Sequence, residues 1–222
     1  INLKEGSVMK RSLISFFAVF ALAFSTPAAA DVDIGVSLMQ TTVSHDGSER
    51  EKTTAGDLET TTKSVEEKFY GGSIYLELVA DSGFTIGLDY VPVDIEIGDG
   101  SRTDSDSGES TNDDDTGTRT ASAEIEDLLT LYLNVPLMGS NFYGALGYHT
   151  AEVTTSETLP TSTYPNANIH GYMVGLGYRA GKFKAEVGYS DFQEIKLESS
   201  AGDGTEIKAD GDATYAKLSY GF

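Results

Sequence analysis

The 222-residue chain has no cysteine, no tryptophan and only 5 prolines. Without thiols it can form no disulfide scaffold, no thiolate-held zinc or iron–sulfur site and no cysteine nucleophile. Basic residues are scarce: 15 Lys and Arg stand against 35 Asp and Glu, a formal charge of -20. A nucleic-acid partner is therefore not expected, since phosphate contacts need Lys and Arg in excess. After the first thirty residues no run of 18 apolar residues occurs, so no helix there is apolar enough to cross a bilayer. Yet 39% of residues are hydrophobic, with 12 Tyr and 10 Phe, which is too many for a wholly disordered chain.

The N-terminal region reads as an address. Met9-Lys10-Arg11 is a short positive segment, Leu13 to Phe24 is apolar, and Ala28-Ala29-Ala30 offers small residues for cleavage before Asp31. Residues 9–30 are expected to be a secretory signal peptide, and residues 1–8 translated sequence upstream of the natural start at Met9. These segments hold Lys4, Lys10 and Arg11 against Glu5, so the remaining residues 31–222 carry a charge of -22.

In that remainder apolar residues alternate. Val32, Ile34, Val36 and Leu38 form one set, and Ile74, Leu76 and Leu78 the next. Phe84, Ile86, Leu88 and Tyr90 follow, then Leu129 through Leu137, Phe142 through Tyr148, Tyr172 through Tyr178, Phe183 through Tyr189, and Ala216 through Phe222. A period of two over eight segments predicts eight strands, each with one apolar face. Short turns at Asp81-Ser82-Gly83, Met138-Gly139-Ser140 and Ala180-Gly181-Lys182 alternate with long polar connections at about 41–70, 96–126, 152–168 and 194–211. That parity predicts an all-β, eight-stranded, antiparallel up-and-down barrel with four long loops at one end.

The second face of each strand is rich in glycine and small residues, interspersed with single charges. Glycine weakens a strand and belongs where space is short, so this face is expected inside and the aliphatic face in lipid. A soluble barrel such as a lipocalin would require the reverse. Phe84 and Tyr90, Phe142 and Tyr148, Tyr172 and Tyr178, and Phe183 and Tyr189 are four outward pairs, each six residues apart. They predict two interfacial aromatic rings about 15 Å apart along the normal, for a rise of ~3.3 Å and a tilt of ~40°.

The chain closes on Lys217-Leu218-Ser219-Tyr220-Gly221-Phe222. The alternating Leu218, Tyr220 and Phe222 are similar to the signal read by the outer-membrane assembly machinery, although Lys217 stands where glycine is common. With the signal peptide, the strand count and the segment Phe142 to Tyr148, residues 31–222 resemble the eight-stranded outer-membrane barrels: the OmpA transmembrane domain, OmpX and opacity-type porin families. The resemblance implies a bacterial outer-membrane location, contact with membrane lipid and lipopolysaccharide, a monomer and no cofactor. A structural or surface-interaction role without catalysis is expected; a narrow porin-like channel is the alternative, and a lipid-modifying enzyme comes third.

Inward parity places Asp33, Glu77, Asp89 and Glu186 together with Arg179, Lys184 and Lys217. Buried charges persist when paired, so an ion-pair network plugging the narrow lumen is expected. Of the three histidines, His45 is read in the first loop and His149 and His170 beside the third, without a nucleophile motif. Asp104, Asp106, Asp113, Asp114 and Asp115 are oxygen ligands that could take a divalent cation, but their spacing is not that of an EF-hand, and a solvated loop is the reading adopted.

Overall fold

The computed structural model describes residues 30–52, 58–104, 117–137, 140–158, 164–200 and 206–222. The readings placed on the leader and signal peptide, and on Asp106, Asp113, Asp114 and Asp115, lie outside the described residues. Nine strands follow one another: β1 (Ala30–Lys52), β2 (Leu58–Ala80), β3 (Thr85–Tyr90), β4 (Ile95–Asp104), β5 (Gly117–Pro136), β6 (Phe142–Glu157), β7 (Ala167–Ala180), β8 (Phe183–Glu198) and β9 (Glu206–Gly221).

All ladders are antiparallel, and apart from β3 and β4 consecutive strands pair with each other. β9 returns to β1 in an unbroken register from Gly35↔Gly221 to Arg50↔Glu206. β3 and β4 are two halves of one stave, since both pair with β5. Eight staves thus close into an antiparallel barrel, which leaves its lower part no free sheet edge. Gly83 (φ 85°) and Gly181 (φ 60°) occupy the left-handed region at two of the tight turns, where a side chain would be strained.

The third stave breaks at Val91-Pro92-Val93-Asp94, where proline can donate nothing to a ladder. The break faces a bulge in β5 between Glu126 and Leu129, and Val91 N donates to Leu128 O at 3.0 Å. Asp127, at the bulge, holds φ at 54° while accepting a 2.8 Å hydrogen bond from the Tyr90 hydroxyl. Among the described residues β4 shares no ladder with β2, so the wall parts above this corner.

Much of what reads in the sequence as long loop is strand. β1 runs on to Lys52 and β2 begins at Leu58, so His45 lies within a strand rather than in a loop; β4, β5, β6 and β8 extend likewise, and His170 lies in β7. The reason is an inversion of polarity along each stave. Towards the short turns the outward residues are aliphatic or aromatic and the inward ones polar. Beyond the break, the inward positions carry Val91, Ile95, Ile125, Ala151, Val153 and Ile169, which pack into a buried apolar cluster. Partly buried Met39, Phe69, Ile97, Leu128, Phe192 and Ile195 pack around it. Outward positions there are mostly polar, as a wall in water requires.

Candidate functional site

The interior of the lower barrel is assembled from pairs of tyrosine and glycine. Register sets Gly35 opposite Tyr75, Gly87 opposite Tyr132, Gly177 opposite Tyr143 and Gly188 opposite Tyr215. In each pair the phenol ring lies over the glycine of the next strand, in the space that a Cβ would take. Glycine therefore admits a ring into a lumen too narrow for two ordinary side chains, and the ring covers backbone that glycine would leave bare.

The rings frame an ion-pair network. Glu77, with none of its surface exposed, accepts from Arg179 Nη2 at 2.7 Å, Lys184 Nζ at 2.5 Å and the Tyr132 hydroxyl at 2.7 Å. Lys184 Nζ also stands 3.6 Å from the Tyr75 ring centroid, a cation–π contact. Lys217 Nζ bridges Asp89 at 3.5 Å and Glu186 at 3.7 Å. The Tyr215 hydroxyl donates to Glu186 at 2.8 Å, and Ser73 donates to Asp89 at 3.0 Å. Three carboxylates thus meet three cations with hydroxyls filling the remaining acceptor sites, the condition under which buried charge is tolerable.

Six of the seven residues assigned to the lumen network from the sequence come together here. Asp33 does not: it pairs with no cation among the described residues. It lies directly across β1–β2 from Glu77, which takes both Arg179 and Lys184. The four tyrosines are the members that sequence reasoning missed. Their inward parity was legible, but the register that sets each against a glycine was not.

Above the network sits His149, buried, its Nδ1 2.7 Å from Thr130 Oγ1 and its Nε2 2.9 Å from Ser190 Oγ. Its ring stacks on Phe192 with centroids 5.4 Å apart. These partners are hydroxyls, not the carboxylate that would orient a catalytic imidazole. The layer separates the charged network from the apolar cluster, so the lumen is filled first by ion pairs and then by aliphatic side chains.

On the outside, all eight aromatics proposed for the two rings are exposed, from Tyr90 and Tyr148 to Phe183 and Tyr172. Phe142 meets Tyr178 across the β6–β7 ladder at 5.1 Å, and Tyr148 meets Tyr172 at 5.5 Å. Tyr70, 69% exposed, lies on the same outward surface. Leu218, Tyr220 and Phe222 also point outward, and Tyr220 touches Phe183 at 4.9 Å. No group of three or more His, Asp or Glu residues able to hold a metal ion occurs among the described residues. Asp104 ends β4.

At the far end, Glu206 gathers Lys196 at 2.6 Å, Lys208 at 3.3 Å and Arg50 at 3.7 Å. A bulge in β8 between Phe192 and Ile195 shifts the strand's parity, which sets Lys196 directly opposite Lys208. Like charges placed opposite each other destabilise a ladder unless a carboxylate lies between them. The hydrogen bond from Lys196, with Lys208 second, holds the Glu206 carboxyl below the usual carboxylate range, and Glu206 in turn raises Lys196. A depressed carboxyl supplies stability that is complete above its unfolded pKa and disappears as pH falls through its folded one. Amide exchange at the β8–β9 ends should therefore accelerate below the ordinary carboxylate range while exchange in the lower barrel holds. Equal acceleration at both ends would remove this role from Glu206.

No protein-family model matches the chain, and no curated protein matches it. Among solved structures it is similar to the outer membrane protein OprG from Pseudomonas aeruginosa, at 15% identity and a TM-score of 0.49, over 88% of this chain and 98% of that one. It is also similar to the outer membrane protein AlkL in lipid bilayers, at 12% identity and a TM-score of 0.48, over 89% and 94%. A third is Ail, the attachment invasion locus protein of Yersinia pestis, at 10% identity and a TM-score of 0.33, over 84% and 99%.

Proposed function

We propose that the chain is an integral β-barrel of a bacterial outer membrane, of the broad kind to which OmpA-, OmpX- and opacity-type barrels belong, acting as a non-enzymatic structural or surface-interaction element. The carrying observation is a wall that is apolar outside and a lumen filled twice over inside. A water-soluble monomer rarely exposes a contiguous apolar patch beyond about 600 Å². Here the exposed aliphatic and aromatic residues belong to every stave, from Val32 on β1 to Phe222 after β9. In hydrocarbon the same belt is favourable, and a closed sheet leaves no backbone group unpaired there.

The short turns then face the periplasm, and the extended strand ends stand outside the cell in contact with lipopolysaccharide. Leu218, Tyr220 and Phe222 are the outward residues offered to the assembly machinery. The barrel works as a monomer whose exposed upper wall is the interacting surface.

Filling by Glu77, Lys184, the four tyrosines and the apolar cluster leaves ions no path. Folded protein that shows heat-modifiable migration on gels should give no conductance steps when inserted in planar bilayers. Reproducible steps from the unmodified protein would replace this reading with a pore.

A further inference from the structure

We propose that the outward face of β7, β8, β9 and β1 holds one phospholipid of the leaflet at the short-turn end, its acyl chain in a groove over Ala185 and its phosphate on Lys182. The inference rests on the membrane reading above.

The groove follows from register. Ala185 is flanked by Tyr178 on β7 and Leu218 on β9, and Leu38 on β1 lies beyond Leu218. One step towards the turn, Phe183 lies between Ala180 and Tyr220. A single methyl between large side chains makes a floor, and the resulting open groove has a volume of about 350 Å³, almost wholly lined by apolar surface. That volume is near the lower end of ligand pockets, roughly 300–1,000 Å³, and suits one flexible chain rather than a folded partner.

The groove lies within the apolar belt, bounded at its turn end by Phe183 and Tyr220 in ring contact. Just past that boundary, Lys182 is exposed in the turn and makes no ion pair among the described residues. An unpaired ammonium at the interface, next to an apolar groove, matches an amphiphile with an anionic head. In an outer membrane the leaflet on the turn side is the phospholipid one.

The test is native mass spectrometry of the folded mature chain in mild detergent, titrated with a palmitoyl-oleoyl phosphatidylglycerol, with the diacylglycerol of the same chains as the headless probe. One phosphatidylglycerol adduct should saturate, with diacylglycerol binding at least ten-fold weaker. Ala185→Trp should reduce the adduct at least ten-fold, and Lys182→Glu several-fold. Gly144→Leu adds bulk on the outward face of β6, where a Cβ meets nothing within 4 Å, and should leave binding unchanged. Equal adducts in the unmodified chain, Ala185→Trp and Lys182→Glu, or none in any, would overturn the site. Heat-modifiable migration in the same micelles separates the two claims. Its presence without the adduct sinks only the lipid site, and its absence from the unmodified chain sinks the membrane reading.

Discussion

Glu77→Gln is expected to destabilise the barrel by about 3–5 kcal/mol, the cost of removing one partner from a buried ion pair. The amide keeps the side chain's shape and can still accept from Tyr132, so neither cavity nor clash contributes. What disappears is the charge facing Arg179 and Lys184. Arg179 is about a quarter exposed and can turn towards water, whereas the Lys184 side chain is 6% exposed and cannot. The stranded ammonium of Lys184 should dominate the loss. Lys184→Met should cost less, because Glu77 retains Arg179 and the Tyr132 hydroxyl. Combining the two changes should recover part of the loss, a coupling expected of residues in direct contact. Urea unfolding in lipid vesicles, followed by circular dichroism and by gel mobility, reads all three; the absence of tryptophan excludes the usual fluorescence signal. A midpoint for Glu77→Gln within about 0.5 kcal/mol of the parent, as for an ordinary surface substitution, would show that the network is not holding the lumen.

The same residues show how far the sequence could be read. Val32 to Leu38, Phe84 to Tyr90 and Phe183 to Tyr189 alternate because one face of each is apolar over its whole length, and alternation is the signal that survives without coordinates. The upper staves hide because that signal reverses. Val153 and Ile169 are inward, single apolar residues among Thr, Glu and Asn, in segments indistinguishable by composition from loop. The bulges at Glu126/Leu129 and Phe192/Ile195 add a change of parity, so that Ile125 and Leu197 point inward out of step with the lower halves of their own strands. Within the network, sign and parity sufficed to gather Glu77, Asp89, Glu186, Arg179, Lys184 and Lys217. Parity alone could not say that Asp33 would face Glu77 and lose both cations to it. Nor could it pair Tyr143 with Gly177, which depends on where β6 and β7 come into register.

Gly35→Ala is expected to cost about 3 kcal/mol, the upper part of the range for overpacking a well-filled interior, although it adds a single methyl. A Cβ at this position would fall inside the carbonyl oxygen of Tyr220 and the phenol of Tyr75. The phenol could swing aside only by leaving a buried position, since Tyr75 is 1% exposed. The carbonyl cannot move alone, because it belongs to the first residues of the β1–β9 ladder, where Gly35 pairs with Gly221 and Phe222 N donates to Ile34 O at 2.9 Å. That ladder joins the first stave to the last. Displacing its end should impair closure as well as lower stability, so the variant should refold into vesicles more slowly and show less of the compact, heat-modifiable form. Gly144→Ala supplies the contrast: its added methyl meets nothing within 4 Å, and replacing a strand glycine should be neutral or gain about 0.5 kcal/mol. Matched unfolding curves for the two alanine variants would mean that the lumen yields to a methyl at its closing edge, and that the tyrosine–glycine pairs are a consequence of packing rather than its condition.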